Sequence, residues 1–105
     1  MDRTIASIET IVIDYYKITR EQLWSKRRFA KLSIARHIIW YELYRVAGMT
    51  ERDIAKAYNT CPSNVNFAKR NVVNWLRFTP AIKRDIEIIE KRIDEKRMDK
   101  NQQAY

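Results

Sequence analysis

The sequence predicts an all-α bundle of about five to six helices built around a central helix-turn-helix. Three observations carry this. Among 105 residues there are only one Gly and two Pro, too few for a sheet of tight turns and well suited to long helices with few breaks. Apolar residues recur at steps of three and four through most of the chain, the period of a helix with one buried face. The hydrophobic fraction of 46% is enough for a packed core. One domain is expected over residues 1–105, with a core at about residues 4–93 and a frayed tail from residue 98.

The elements follow in order. Ile5, Ile8, Val12 and Tyr15 share a face of a helix over residues 3–16. In "KITREQL", Thr19 is placed to cap a short helical turn. The stretch "WSKRRFAK" follows no period and reads as a cationic break. A longer helix is expected over residues 30–47, its apolar side formed by Ile34, Ile38, Tyr41, Leu43 and Val46. Gly48, directly after it, suits a helix end that needs positive φ. Thr50, with Asp53 three residues on, resembles a capping box that opens the next helix. That helix should end near Tyr58. Pro62 then fits the first turn of another, on which Val65, Ala68, Val72, Trp75 and Leu76 keep the helical period. Thr79 and Pro80 open a last helix along Ile82, Ile86, Ile89 and Ile93, with Glu87 four residues before Lys91 on its polar side.

Charge is concentrated in the middle of the chain. The total is +8, but residues 17–84 hold 15 Lys/Arg against 4 Asp/Glu, a local balance of +11. A polyanionic partner is the natural inference, with nucleic acid ahead of an acidic membrane surface. Cys61 is the one cysteine and His37 the one histidine, which excludes an internal disulfide and leaves no material for a metal cage. No nucleophile–base pair is visible, and no GxxxxGK[ST] loop, so neither an enzyme nor a nucleotide site is expected, and no cofactor. The start, "MDRTIASIET", lacks the apolar stretch of a signal peptide, and no run approaches the ~18 apolar residues of a membrane span. A cytoplasmic setting is the default.

The helices at residues 50–58 and from residue 62 have the spacing of a helix-turn-helix. A close crossing requires a small residue on the first helix, here Ala55. The turn requires a residue tolerant of positive φ, here Asn59. The second helix must return an apolar residue to the first, here Val65. Ile54 and Tyr58 seal the pair from one side, Ala68 and Val72 from the other. The face opposite Val65, Ala68 and Val72 then holds Ser63, Asn66, Phe67, Arg70 and Asn74, with Asn64 in the first turn. These are residue types that read a major groove. Asn pairs with adenine, Arg with guanine, and an apolar ring meets the thymine methyl. Lys26, Arg27 and Arg28 are expected along phosphates or in a minor groove, with Lys31 and Arg36 beside them and Lys56 and Lys69 flanking the hairpin.

The stretch "IETIVIDYYKITREQLWSKRR", followed by a long helix containing "ARH" and then the helix-turn-helix, resembles the C-terminal DNA-binding domain of the bacterial replication initiator DnaA. Tyr15, Tyr16, Lys17 and Ile18, then Leu23, Ser25, Lys26, Arg27 and Arg28, agree with the family pattern in type and spacing within "IETIVIDYYKITREQLWSKRR". The resemblance covers roughly residues 4–93. It implies a Trp-repressor-like fold, binding to double-stranded DNA, and minor-groove entry by Lys26, Arg27 and Arg28. In "ARH" only Arg36 matches the family's Pro-Arg-Gln, as a phosphate contact. The family usually carries Gly-Gly-Arg-Asp-His-(Ser/Thr)-Thr-Val before its reading helix, whereas "NTCPSNV" stands here. Scaffold residues Val65, Ala68 and Arg70 are kept and the base-reading residues differ. The chain reads either as a fragment or as a free-standing relative that begins at its own Met1, and the start just ahead of the first helix slightly favours the second. An alternative is an interaction module of replication control that has lost DNA reading and docks another replication protein through Trp24, Trp40 or Phe67.

Overall fold

The computed structural model describes residues 3–25 and 29–103, without the side chains of Arg3 and of residues 97–103. Six helices follow one another: α1 (Arg3–Tyr16), α2 (Arg20–Leu23), α3 (Ala30–Ala47), α4 (Glu51–Ala57), α5 (Pro62–Phe78) and α6 (Pro80–Gln103). Among the described residues there is no strand. The chain is all-α.

Local chemistry sets most of the helix ends. At α2, Thr19 Oγ1 accepts the Gln22 N–H (3.0 Å) and Gln22 Oε1 accepts the Thr19 N–H (2.9 Å), a reciprocal capping box. α1 and α4 end alike. Lys17 (φ 55) and Asn59 (φ 54) take left-handed conformations, so that Ile18 N–H reaches Ile13 C=O (3.2 Å) and Thr60 N–H reaches Ala55 C=O (2.8 Å). This closure pairs a carbonyl of the last turn with a donor beyond the helix. Gly48 (φ 67) ends α3 in the same region of backbone space. α6 continues helical to Gln103. Its last turns contain neither Gly nor Pro to stop it.

α3 lies at the centre, packed against α1, α2, α4 and α5, while α6 closes the bundle over α1 and α5. This explains a difference from the single apolar side expected for α3. Leu32, Ala35, Ile38, Ile39 and Leu43 are buried, whereas Ile34, Tyr41 and Val46 are half-buried. A helix surrounded by four others has no single solvent face from which to read a stripe. Ile8 and Val12 from α1, Leu23 from α2 and Ile86, Ile89 and Ile93 from α6 complete the core. Two acids tie helices together. Asp85 accepts the Tyr15 hydroxyl (2.5 Å) and the Tyr16 hydroxyl (3.3 Å), joining α6 to α1. Glu9, itself buried, accepts the Tyr58 hydroxyl (2.6 Å) and pairs with Arg20 (3.3 Å).

Glu42 is fully buried on α3. Its Oε1 accepts from Arg45 at 2.8 Å, and its Oε2 has no hydrogen-bond partner among the described residues. Arg45 also reaches Glu90 (3.1 Å) and Asp94 (4.0 Å) on α6. Burial, reinforced by Glu90, pushes the Glu42 carboxyl up to about 8 against the pull of Arg45. Burial thus favours the protonated acid well above the ordinary carboxylate range.

Candidate nucleic-acid interface

α4 opens with the capping box expected of it. Thr50 Oγ1 accepts the Asp53 N–H (3.1 Å), and Asp53 Oδ2 accepts the Thr50 N–H (3.2 Å). Ile54 and Ala55 are buried on its inner side. After the left-handed Asn59, Pro62 begins α5, and Val65, Ala68 and Val72 are each fully buried against the rest of the bundle. α4 and α5 therefore meet through Ala55, Val65 and their neighbours, and α5 is held along its whole inner face.

The opposite face of α5 is open. Ser63, Asn64, Asn66, Phe67, Arg70 and Asn74 are all exposed, Phe67 to 60%. The side chains of Ser63, Asn66, Arg70 and Asn74 form no hydrogen bond or ion pair with other described residues. The 31 residues from Ile54 to Arg84 include no Asp or Glu, so nothing acidic on α4 after Asp53, or anywhere on α5, repels a polyanion.

Three of the expected contacts are engaged inside the domain. Lys69 Nζ pairs with Glu51 Oε1 (3.0 Å) and sits 3.3 Å from the centre of the Tyr44 ring, tying α5 to α4 and α3. Position 69 falls four after Val65, about 40° around the helix from it, so its side chain leaves near the buried stripe. Asn64 Nδ2 donates to Thr60 Oγ1 (2.8 Å), which orients its amide at the turn. Arg36 donates from Nε to the Leu23 carbonyl and from Nη2 to the Ser25 carbonyl (2.6 Å). It fastens the end of α2, where the basic stretch begins. Burial lowers the Arg36 pKa, and the guanidinium stays charged. Lys31 and Lys56 are exposed. Lys26, Arg27 and Arg28 lie outside the described residues.

Beneath Phe67 runs a stack of rings that sequence reasoning missed. His37 lies parallel to Trp75 (centroids 5.7 Å) and to Trp40 (6.4 Å), and meets Phe67 edge to face (6.0 Å). Trp40 stacks on Trp24 (6.5 Å), which packs against Tyr58 (4.7 Å). Asn71 Nδ2 is 3.4 Å from His37 Nδ1 and can donate to it while the ring is neutral. Burial, then the Arg36 cation, lowers the His37 pKa and keeps it neutral. The signal was available in the sequence. Phe67, Asn71 and Trp75 step by four along α5 and form one stripe toward α3. The same stack corrects the docking surface considered for Trp24 and Trp40. Both are half-buried between helices, and of that trio Phe67 alone is exposed.

Comparison with known proteins bears on this arrangement directly. The family model described as the bacterial DnaA protein helix-turn-helix matches residues 5–72. The chain belongs to this family. The match runs from α1 through the buried stripe of α5, so it covers the basic stretch, α3, α4 and the turn. DnaA helix-turn-helix domains bind double-stranded DNA, and at that coarse level DNA binding is the function of this chain. The class is a DNA-binding one rather than an enzyme class. A search of curated proteins finds no match. Among the described residues, no helix is long and apolar enough to cross a membrane.

Proposed function

We propose that this DnaA-like domain binds double-stranded DNA with a sequence preference set by the outward face of α5, in the service of replication or its control. Ser63, Asn66, Phe67 and Arg70 read bases, and Asn64 adds its oriented amide at the first turn. Lys26, Arg27, Arg28 and Lys31 lie on the backbone or in the adjacent minor groove. Arg36 holds the start of that basic stretch through the Leu23 and Ser25 carbonyls. One observation carries this reading. An acid-free helix, locked from behind by Val65, Ala68 and Val72, presents the exposed Asn66 amide and Arg70 guanidinium, which pair with no other described residue, beside the exposed ring of Phe67. Such groups match base edges in the major groove. Since "NTCPSNV" differs from the family's usual reading signature, the preferred site differs from the usual initiator box. No nucleotide or cofactor is required, and a cytoplasmic setting fits a DNA-binding protein.

Selection of bound sequences from a random duplex pool tests the proposal. An enriched motif is expected, and a flat profile rules out sequence preference. Asn66→Ala and Arg70→Ala should each relax the motif at one position, by about 1–3 kcal/mol of discrimination. Lys69→Gln should leave the motif as it is and cost about 1 kcal/mol or less of stability, because its ammonium is engaged by Glu51. A motif altered by Lys69→Gln and not by Asn66→Ala would reverse these roles.

The exposure of Phe67 supports a second reading, a protein-docking surface on the same helix. Retention on duplex DNA at rising salt separates the two. A chain that elutes near physiological salt and captures a replication protein through Phe67 favours docking.

A further inference from the structure

Phe29 is not among the described residues that pack against the core. Its side chain is 63% exposed. It occupies the N-cap of α3 without a side-chain cap bond, at a position that ordinarily favours Ser, Thr, Asp or Asn. Its backbone is nonetheless firmly placed. The Phe29 carbonyl accepts the N–H groups of Leu32 (3.0 Å) and Ser33 (3.1 Å), so an exposed ring stands on a fixed helix start.

The surroundings suit DNA. Lys26, Arg27 and Arg28 immediately precede Phe29, and Lys31 follows two positions on. Ser33, one turn further along α3, lines the same cleft as Asn64 and Phe67 of α5. The start of α3 and the start of the reading helix therefore open on one side of the molecule. Cations draw a chain into a minor groove, and proteins that enter there often insert an apolar side chain between base steps.

We propose that Phe29 is an apolar wedge that enters the minor groove and partly unstacks one base step beside the groove read by α5. This rests on the DNA-binding reading above and adds a specificity element that makes no base-edge hydrogen bond. Pyrimidine–purine steps such as TpA and CpA unstack most readily, so the wedge favours a site that places one there and bends the duplex.

Duplexes carrying the fluorescent adenine analogue aminopurine beside a TpA or CpA step report the unstacking. Wild-type protein is expected to raise the fluorescence. Phe29→Ala should bind about tenfold more weakly and lose the rise, with its helical circular dichroism and salt slope unchanged. Phe29→Leu should restore the rise. Wild-type protein that binds without a fluorescence change, or a Phe29→Ala variant that keeps it, overturns the wedge and leaves the DNA-binding reading standing. Wild-type protein that binds no duplex at low salt overturns both.

Discussion

Glu42→Gln is expected to stabilise the domain by about 3–5 kcal/mol at pH 9 while leaving it close to wild type near pH 5. The folded Glu42 carboxyl titrates at about 8, against an ordinary 4.5. Between those values the folded state holds a proton that the unfolded chain has released, so stability falls as pH rises. The contribution is fully present below the unfolded value and is lost as pH passes through the folded one. Fully buried, the group gains little from solvent screening when it ionises. Gln keeps an oxygen for Arg45 and never ionises, so the variant should lack this part of the pH dependence. Thermal unfolding of both proteins across the pH range checks it, and parallel curves would refute the assignment. The difference between the two curves reports Glu42 together with the neighbours it is coupled to, Glu90 and Arg45. Arg45→Met should act the other way at neutral pH, since it leaves Glu42, Glu90 and Asp94 without the cation between them.

Why Glu42 escaped the sequence shows where such reading stops. A Glu with an Arg three residues on is an ordinary surface pair by spacing. Only the return of α6, which brings Glu90 and Asp94 beside Arg45, makes it a buried cluster. That contact spans about half the chain and leaves no local mark. Helix ends were legible for the opposite reason. Thr19 with Gln22, Thr50 with Asp53, Gly48 and Asn59 act through bonds or dihedrals within a few residues. The buried stripe of α5 was legible because that helix packs on one side only. Lys69 shows an intermediate case. Its charge suggested a phosphate contact, but its place on the helical wheel, near Val65, already pointed toward Glu51 and Tyr44. Arg36 could not have been placed in this way, because its acceptors are backbone carbonyls whose position depends on how α2 meets α3.

Neutralising Arg27 and Arg28 together should weaken binding to every duplex alike, by about 10- to 100-fold at physiological salt, and should lower the slope of log affinity against log salt by about 2. Each phosphate contact releases counterions whatever the base sequence, so the loss appears in the slope as well as in the affinity. Asn66→Ala gives the contrasting pattern, with sequences reranked and the slope kept, because an amide on a base edge releases no counterion. Titrations at several salt concentrations with a selected and an unrelated duplex separate the two. An unchanged slope after loss of both arginines would place them away from the backbone. Arg36→Lys then tests how the basic stretch is held. The charge is conserved, so a purely electrostatic role predicts little change. Lys cannot reproduce a planar fork that donates to the Leu23 and Ser25 carbonyls at once. If Arg36 positions the stretch, its Lys variant should bind all duplexes more weakly, and adding the Arg27 and Arg28 changes to it should cost less than they cost in the wild type. The two sets of residues would then act as one unit, a basic segment whose contacts with DNA depend on a guanidinium anchored in the protein.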